Sequence, residues 1–132
     1  VHKDVVITVI TSNVPANINM QKDLLRVAIY HLVRNAIEAT SGGGRVTIET
    51  LTNDDEVILS VSDTGHGIEE QDIENIFQPF FSTKEQGFGL GLPLVKQVVS
   101  EHLGQLFTES KKGEGTTFKI VFPVRWKENK LH

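Results

Sequence analysis

The chain has no cysteine, which removes disulfide frameworks and thiolate metal centres together and fits a reducing compartment. Long apolar runs are missing too. None approaches the ~20 residues of a membrane span, and the N-terminus lacks the pattern of a signal peptide. The fragment is therefore expected to be soluble, not membrane-inserted, and cytoplasmic, whatever anchors its parent. There is no excess of basic residues either: Lys and Arg number 13 against 17 Asp and Glu, a net charge of -4. A chain without a basic face has little to offer phosphodiester backbones, so nucleic acid is not an expected partner. Only 4 prolines accompany 39% hydrophobic residues, the balance of a folded domain rather than a disordered segment. At 132 residues the chain is one domain's worth, and folding at that size hides roughly two thirds of the unfolded surface.

What is present alternates between two periods. The β-branched run VVITVI reads as a strand over residues 5–10, broken by Val14-Pro15-Ala16-Asn17. Residues 20–40 contain neither glycine nor proline and repeat apolar side chains at helical spacing through Leu24, Ala28, Leu32 and Ala36. Alternating runs over 45–51 and 56–62, joined by Thr52-Asn53-Asp54-Asp55, predict a β-hairpin. A short helix is expected over 69–76, with acidic residues in its first turn. Another is expected over 90–102, with Leu94, Val95, Val98 and Val99 as its apolar stripe and Gly104 as its stop. A second hairpin, 105–109 with 116–123, turns around Lys112-Gly113-Glu114-Gly115. Paired hairpins imply a mostly antiparallel mixed sheet of about five strands. Three helices segregated between them imply one covered face, an α+β two-layer sandwich.

Three constellations on this frame carry chemistry. On the long helix His31, Asn35 and Glu38 fall within about 60° of one another around the axis, on the side that also holds Leu24, Val27 and Ala28. They can bridge or cap neighbouring backbone. An amide oxygen is also a suitable ligand for magnesium, which takes the rest of its shell from water and substrate phosphates. Directly after an alternating strand stands DTGHGI, residues 63–68. Any turn uses Asp and Gly, but a carboxylate at a strand end also accepts from an exocyclic amine, and glycines let a planar ring lie against backbone.

The third constellation, FFSTKEQGFGLGLPLV, sets Gly87, Gly89 and Gly91 at alternate positions ahead of a helix. No Gly-Lys-Ser/Thr follows, which excludes a Walker loop. Leu92 stands where a dinucleotide fingerprint needs its third glycine. What remains is free amides at the positive end of a helix dipole, a site for anions. Thr83 and Lys84 add a hydroxyl and a cation a few residues earlier.

Together and in this order the sites resemble the catalytic, ATP-binding domain of sensor histidine kinases, in the wider family of DNA gyrase B, the Hsp90 chaperone and MutL. HLVRNAIEA is similar to the family's N box, DTGHGI to its first glycine box, IFQPFFSTK to its F box and GFGLGL to its second glycine box. The resemblance implies a Bergerat-type fold, with ATP and magnesium as cofactors. It assigns the metal to Asn35, with His31 facing the phosphates, and the adenine amino group to Asp63. Gly65, Gly67 and Ile68 would shape the base pocket, with Thr117 assisting through water. Phe77, Phe80 and Phe81 would anchor a short lid over 82–88. Thr83, Lys84 and the amides of Gly87, Gly89, Leu90 and Gly91 would hold the triphosphate.

One departure separates branches of the family. ATP-hydrolysing relatives carry a glutamate as general base one turn before the magnesium-binding asparagine, and here that position is His31. Glu38 lies on the wrong side of Asn35 to replace it, so phosphoryl transfer is favoured over hydrolysis. Arg34 lies about 100° from Asn35 around the axis and is expected to face solvent or a partner. None of the five histidines sits in the family's phosphoacceptor pattern. The resemblance therefore implies that residues 1–132 are one catalytic domain. Dimerisation and phosphoacceptor helices are expected upstream and, through them, a response regulator. The isolated domain is expected to be a monomer and its parent a homodimer. A serine kinase of the anti-sigma-factor type and a nucleotide-sensing module remain alternatives.

Overall fold

The computed structural model describes residues 5–11, 22–40, 42–78 and 91–123. Its elements are β1 (Val6–Ile10), α1 (Lys22–Ala39), β2 (Arg45–Thr52), β3 (Glu56–Asp63), a single 3-10 turn (Glu70–Asp72), α2 (Gly91–Glu101), β4 (Gln105–Lys111) and β5 (Gly115–Pro123). The strands form one sheet in the order β1-β2-β3-β5-β4. β1 runs parallel to β2, and every other pair is antiparallel, so the mixed, mostly antiparallel sheet read from the hairpins is present.

Alternation decides which face is buried. Leu59, Val61 and Asp63 on β3 stand opposite Ile120, Phe118 and Thr116 on β5, and all six are buried. Against this face α1 presents Ala28, Leu32 and Ala36, and α2 presents Leu92, Val95, Val98 and Val99. Each large side chain fully buried here, such as Leu32 or Phe118, contributes about 1.5–3 kcal/mol of transfer free energy. The first hairpin closes through Asn53, whose Oδ1 accepts from the amides of Asp55 and Glu56, each at 2.8 Å. Among the described residues no helix is long and apolar enough to cross a membrane.

Two expectations about helices are corrected. The helix read over 69–76 is one 3-10 turn followed by further turns. Most of its bonds span three residues, as from Asn75 N to Asp72 O at 2.9 Å, and no side chain caps its start. Two α-helices are therefore described where three were expected. At the end of α2, Gly104 was expected to supply the left-handed stop, but the residue with positive φ is Leu103, at 60°. Gly104 N–H donates to Val99 O at 2.9 Å and Leu103 N–H to Ser100 O at 3.1 Å, a Schellman pair. Gly104 is required for space instead, because a Cβ there would come 2.9 Å from the Phe122 ring.

Candidate functional site

Asp63 is the last residue of β3 and belongs to the inward-facing set. Its carboxylate is buried, 8% exposed. Oδ1 accepts from Gly65 N–H at 2.8 Å, and the amide of Thr116 donates to the same carboxylate. Burial pushes its carboxyl above the usual aspartate value, while the two amides and the nearby His66 pull it back down. A carboxylate offers about four lone-pair directions. Two amides leave it acceptor capacity for a further donor.

The loop after Asp63 is clamped from two sides. His66 N–H donates to Ala39 O at the end of α1, at 3.1 Å, and Gly113 N–H donates to His66 O at 2.6 Å from the β4–β5 turn. Both loop glycines are explained by these clamps. A Cβ on Gly65 would strike the Ala39 carbonyl, and one on Gly67, where φ is 74°, would strike the carbonyl of Lys111. Their bare sides face protein backbone, so their first task is to let the loop dock. His66 Nδ1 lies 2.7 Å from Gly67 O, which can only accept, so Nδ1 carries a proton there. Nε2 is buried without a hydrogen-bond partner among the described residues.

The α1 edge meets the start of α2. His31 and Asn35 are half-buried at the margin of the apolar stripe. A Cβ on Gly91, the first residue of α2, would come 3.0 Å from His31 Nδ1. That contact joins the polar edge of α1 to the helix start whose amides were expected to meet anions. Leu24 and Ala28 turn inward with this edge, whereas Val27 is 39% exposed. Glu38 pairs with Arg34 at 3.3 Å, and Arg34 is exposed, as expected. Among the described residues no group of three His, Asp or Glu side chains could hold a metal. A cation beside Asn35 would therefore draw on a phosphate-bearing ligand, a donor set that suits magnesium.

Thr117 requires a correction. Strand period 2 puts it on the face opposite Asp63, where its hydroxyl lies 2.9 Å from Ser62 Oγ. Thr116, one residue earlier, is buried, paired across from Asp63 and bonded to it. Ser110 was missed as well. Its Oγ accepts from Ile68 N–H at 2.7 Å and ties the loop to β4. The inward positions of β4, half-buried Leu106, Thr108 and Ser110, were the signal available for finding it. Phe77 packs edge-on against Phe118 with ring centroids 6.2 Å apart, beneath the Lys96 ammonium, and so ties the segment before the expected lid to the sheet and α2. Phe80, Phe81, Thr83, Lys84, Gly87, Gly89 and Leu90 lie outside the described residues.

Comparison with known proteins bears on the family and the fold. Residues 20–125 match the family model described as "Histidine kinase-, DNA gyrase B-, and HSP90-like ATPase". Sporulation kinase C of Bacillus subtilis (strain 168) is 39% identical over 108 residues, covering 82% of this chain and 25% of that protein. The chain thus spans about a quarter of that relative's length. A mycobacterial sensor histidine kinase, MprB, superposes with a TM-score of 0.82 at 30% identity, over 92% of this chain and 85% of that one. Histidine kinase ThkA, crystallised in complex with response regulator protein TrrA, superposes with a TM-score of 0.77 at 27% identity, over 94% of this chain and 35% of that one.

Proposed function

The chain belongs to the histidine kinase-, DNA gyrase B-, and HSP90-like ATPases, and on that premise we propose that it binds MgATP and presents the γ-phosphoryl group to a histidine on a separate domain. That domain is a pair of dimerisation and phosphoacceptor helices upstream in a longer, homodimeric, cytoplasmically acting sensor kinase. The observation that carries the reading is Asp63, a buried carboxylate with spare acceptor capacity at a strand end. A buried charge is expensive unless something completes its hydrogen bonding, and the amino group of adenine supplies such a donor.

The other residues fall into place around it. The docked loop of Gly65, Gly67 and Ile68 walls the base, with Thr116 in the role first given to Thr117. Asn35 offers its amide oxygen to magnesium, and Gly91 its amide to the phosphates. Bound magnesium neutralises charge on the phosphate tail. Thr83, Lys84, Phe80, Gly87, Gly89 and Leu90 belong to the same proposal as lid and phosphate contacts. His31, where hydrolysing relatives place a glutamate, leaves no carboxylate to activate water. The domain's work is then to position the phosphoryl group for in-line attack. Because ThkA forms a complex with a response regulator, the phosphoryl group is proposed to pass from histidine to such a protein.

Incubation of the domain with labelled ATP and its upstream helices tests this. Acid-labile label on histidine supports the proposal. Acid-stable label on a serine substrate indicates the anti-sigma-factor type of kinase, and nucleotide binding without any label indicates a sensing module.

A further inference from the structure

Ser110 faces inward from β4 and meets three groups: Ile68 N at 2.7 Å, Gly115 O at 3.0 Å and Thr116 Oγ1 at 2.8 Å. A hydroxyl has one proton and two lone pairs, so these contacts can be assigned one by one. The Ile68 amide only donates and takes one lone pair. The Gly115 carbonyl only accepts and takes the proton. A single lone pair remains, and the contact with Thr116 can be filled only by the Thr116 proton. Between two hydroxyls either oxygen could donate, but here the neighbours of Ser110 decide the direction.

The consequence falls on the base pocket. Thr116 is buried, stands across from Asp63 and donates its amide to that carboxylate. With its hydroxyl proton spent on Ser110, its side chain has only lone pairs for anything else. Ionised Asp63 is likewise an acceptor only. No side-chain proton is free among ionised Asp63, Ser110 and Thr116.

We infer that Ser110 is a specificity-positioning residue: by forcing Thr116 to donate to it, Ser110 keeps the Thr116 hydroxyl an acceptor only toward the base. That hydroxyl therefore favours a purine with an amine at its 6-position over one with a carbonyl oxygen there. The inference rests on the proposed base-binding role of Asp63 and adds the residue that sets hydroxyl polarity beside it.

The test compares ATP with inosine triphosphate, whose base carries the 6-oxo group, by calorimetry on each variant. Ser110→Ala frees the Thr116 proton to turn and meet the oxo group. The preference for ATP over inosine triphosphate should fall by about threefold to tenfold, the worth of one net hydrogen bond. Ser110→Thr, which keeps the hydroxyl, should retain the wild-type preference. In a Thr116→Val background the Ser110→Ala change should leave the preference unaltered. Equal loss of affinity for both nucleotides in Ser110→Ala would show that Ser110 merely holds the hairpin, and would overturn the inference. If Ser110→Ala does not fold, Thr116→Val alone decides: greater loss for ATP than for inosine triphosphate supports the inference, and equal loss overturns it. A wild-type chain that binds ATP without preference over inosine triphosphate also overturns it. One that binds neither nucleotide removes the base-site reading itself.

Discussion

The Thr116 amide donates to the Asp63 carboxylate across the β3–β5 pair, where the two residues face each other on the buried side of the sheet. With Gly65 N–H at 2.8 Å on Oδ1, the carboxylate is aimed by backbone, which no side-chain rearrangement can easily displace. Asp63→Asn keeps the shape but puts an amine where one acceptor stood. It should weaken adenine nucleotide binding by about 1–3 kcal/mol, roughly 5- to 150-fold. Unchanged affinity by calorimetry would remove Asp63 from the base pocket.

The raised proton affinity of Asp63, caused first by burial, gives two pH effects of opposite sign. In the folded state the carboxyl keeps its proton above the ordinary value of 3.8. Between that value and the folded one the native state binds more protons than the unfolded state, so this contribution to stability falls as pH rises through the window. The stability of the wild type relative to Asp63→Asn should therefore decline with rising pH there and be flat above it. Nucleotide binding needs the carboxylate and should instead weaken as pH falls through the folded value. Urea titrations and calorimetry across acid pH check the pair, and a window lying below 3.8 would contradict both.

Asn35 lies one helical turn after His31, at the edge of α1 that meets Gly91. Asn35→Ala removes the amide oxygen while keeping a good helix former. Its expected signature is loss of the magnesium-dependent part of ATP affinity, with magnesium-free binding little changed. Calorimetry with and without magnesium separates the two, and an undiminished magnesium effect would take Asn35 out of the metal site.

Adjacent threonines provide a register test. The Thr117 hydroxyl meets Ser62 on the outer face, and the Thr116 hydroxyl meets Ser110 on the inner one, beside Asp63. Thr117→Val should leave ATP affinity within about twofold, whereas Thr116→Val should lower it about threefold or more, the scale of one net hydrogen bond. The reverse ranking would mean that the base lies on the other side of the sheet.

Leu103 holds a left-handed conformation, φ 60°, while 63% exposed. The conformation costs a side-chain-bearing residue about 1–2 kcal/mol, and little packing is lost by removing the side chain. Leu103→Gly should raise stability by about 1 kcal/mol, read as a higher urea midpoint with an unchanged m-value. A lower midpoint would mean that the Leu103 side chain holds the end of α2 by contacts that outweigh the strain.

Much of this was legible in the sequence because it is periodic. The alternation that predicted the second hairpin also buries Phe118, Ile120 and Phe122, and the spacing of Ala28, Leu32 and Ala36 placed the buried stripe of α1. Asp63 stood out as a carboxylate closing a strand before two glycines. Single-residue choices were not legible. Thr116 and Thr117 are the same residue type side by side, and a shift of one exchanges the faces of a strand. Ser110 looked like any strand serine until the fold brought Ile68, Gly115 and Thr116 around it. Leu103 carries no local signal for a positive φ.

The sequence by itself determined the five strands and two long helices, the two-layer arrangement and the family to which the four boxes belong, since these rest on periodicity and on motifs read along the chain. Tertiary structure alone decided which face each strand residue takes, why the loop glycines must be bare and which groups gather around Ser110. Those depend on groups distant in sequence, the carbonyls of Ala39 and Lys111 and the amide of Ile68 among them, and sequence spacing carries no term for contacts between segments that meet only on folding.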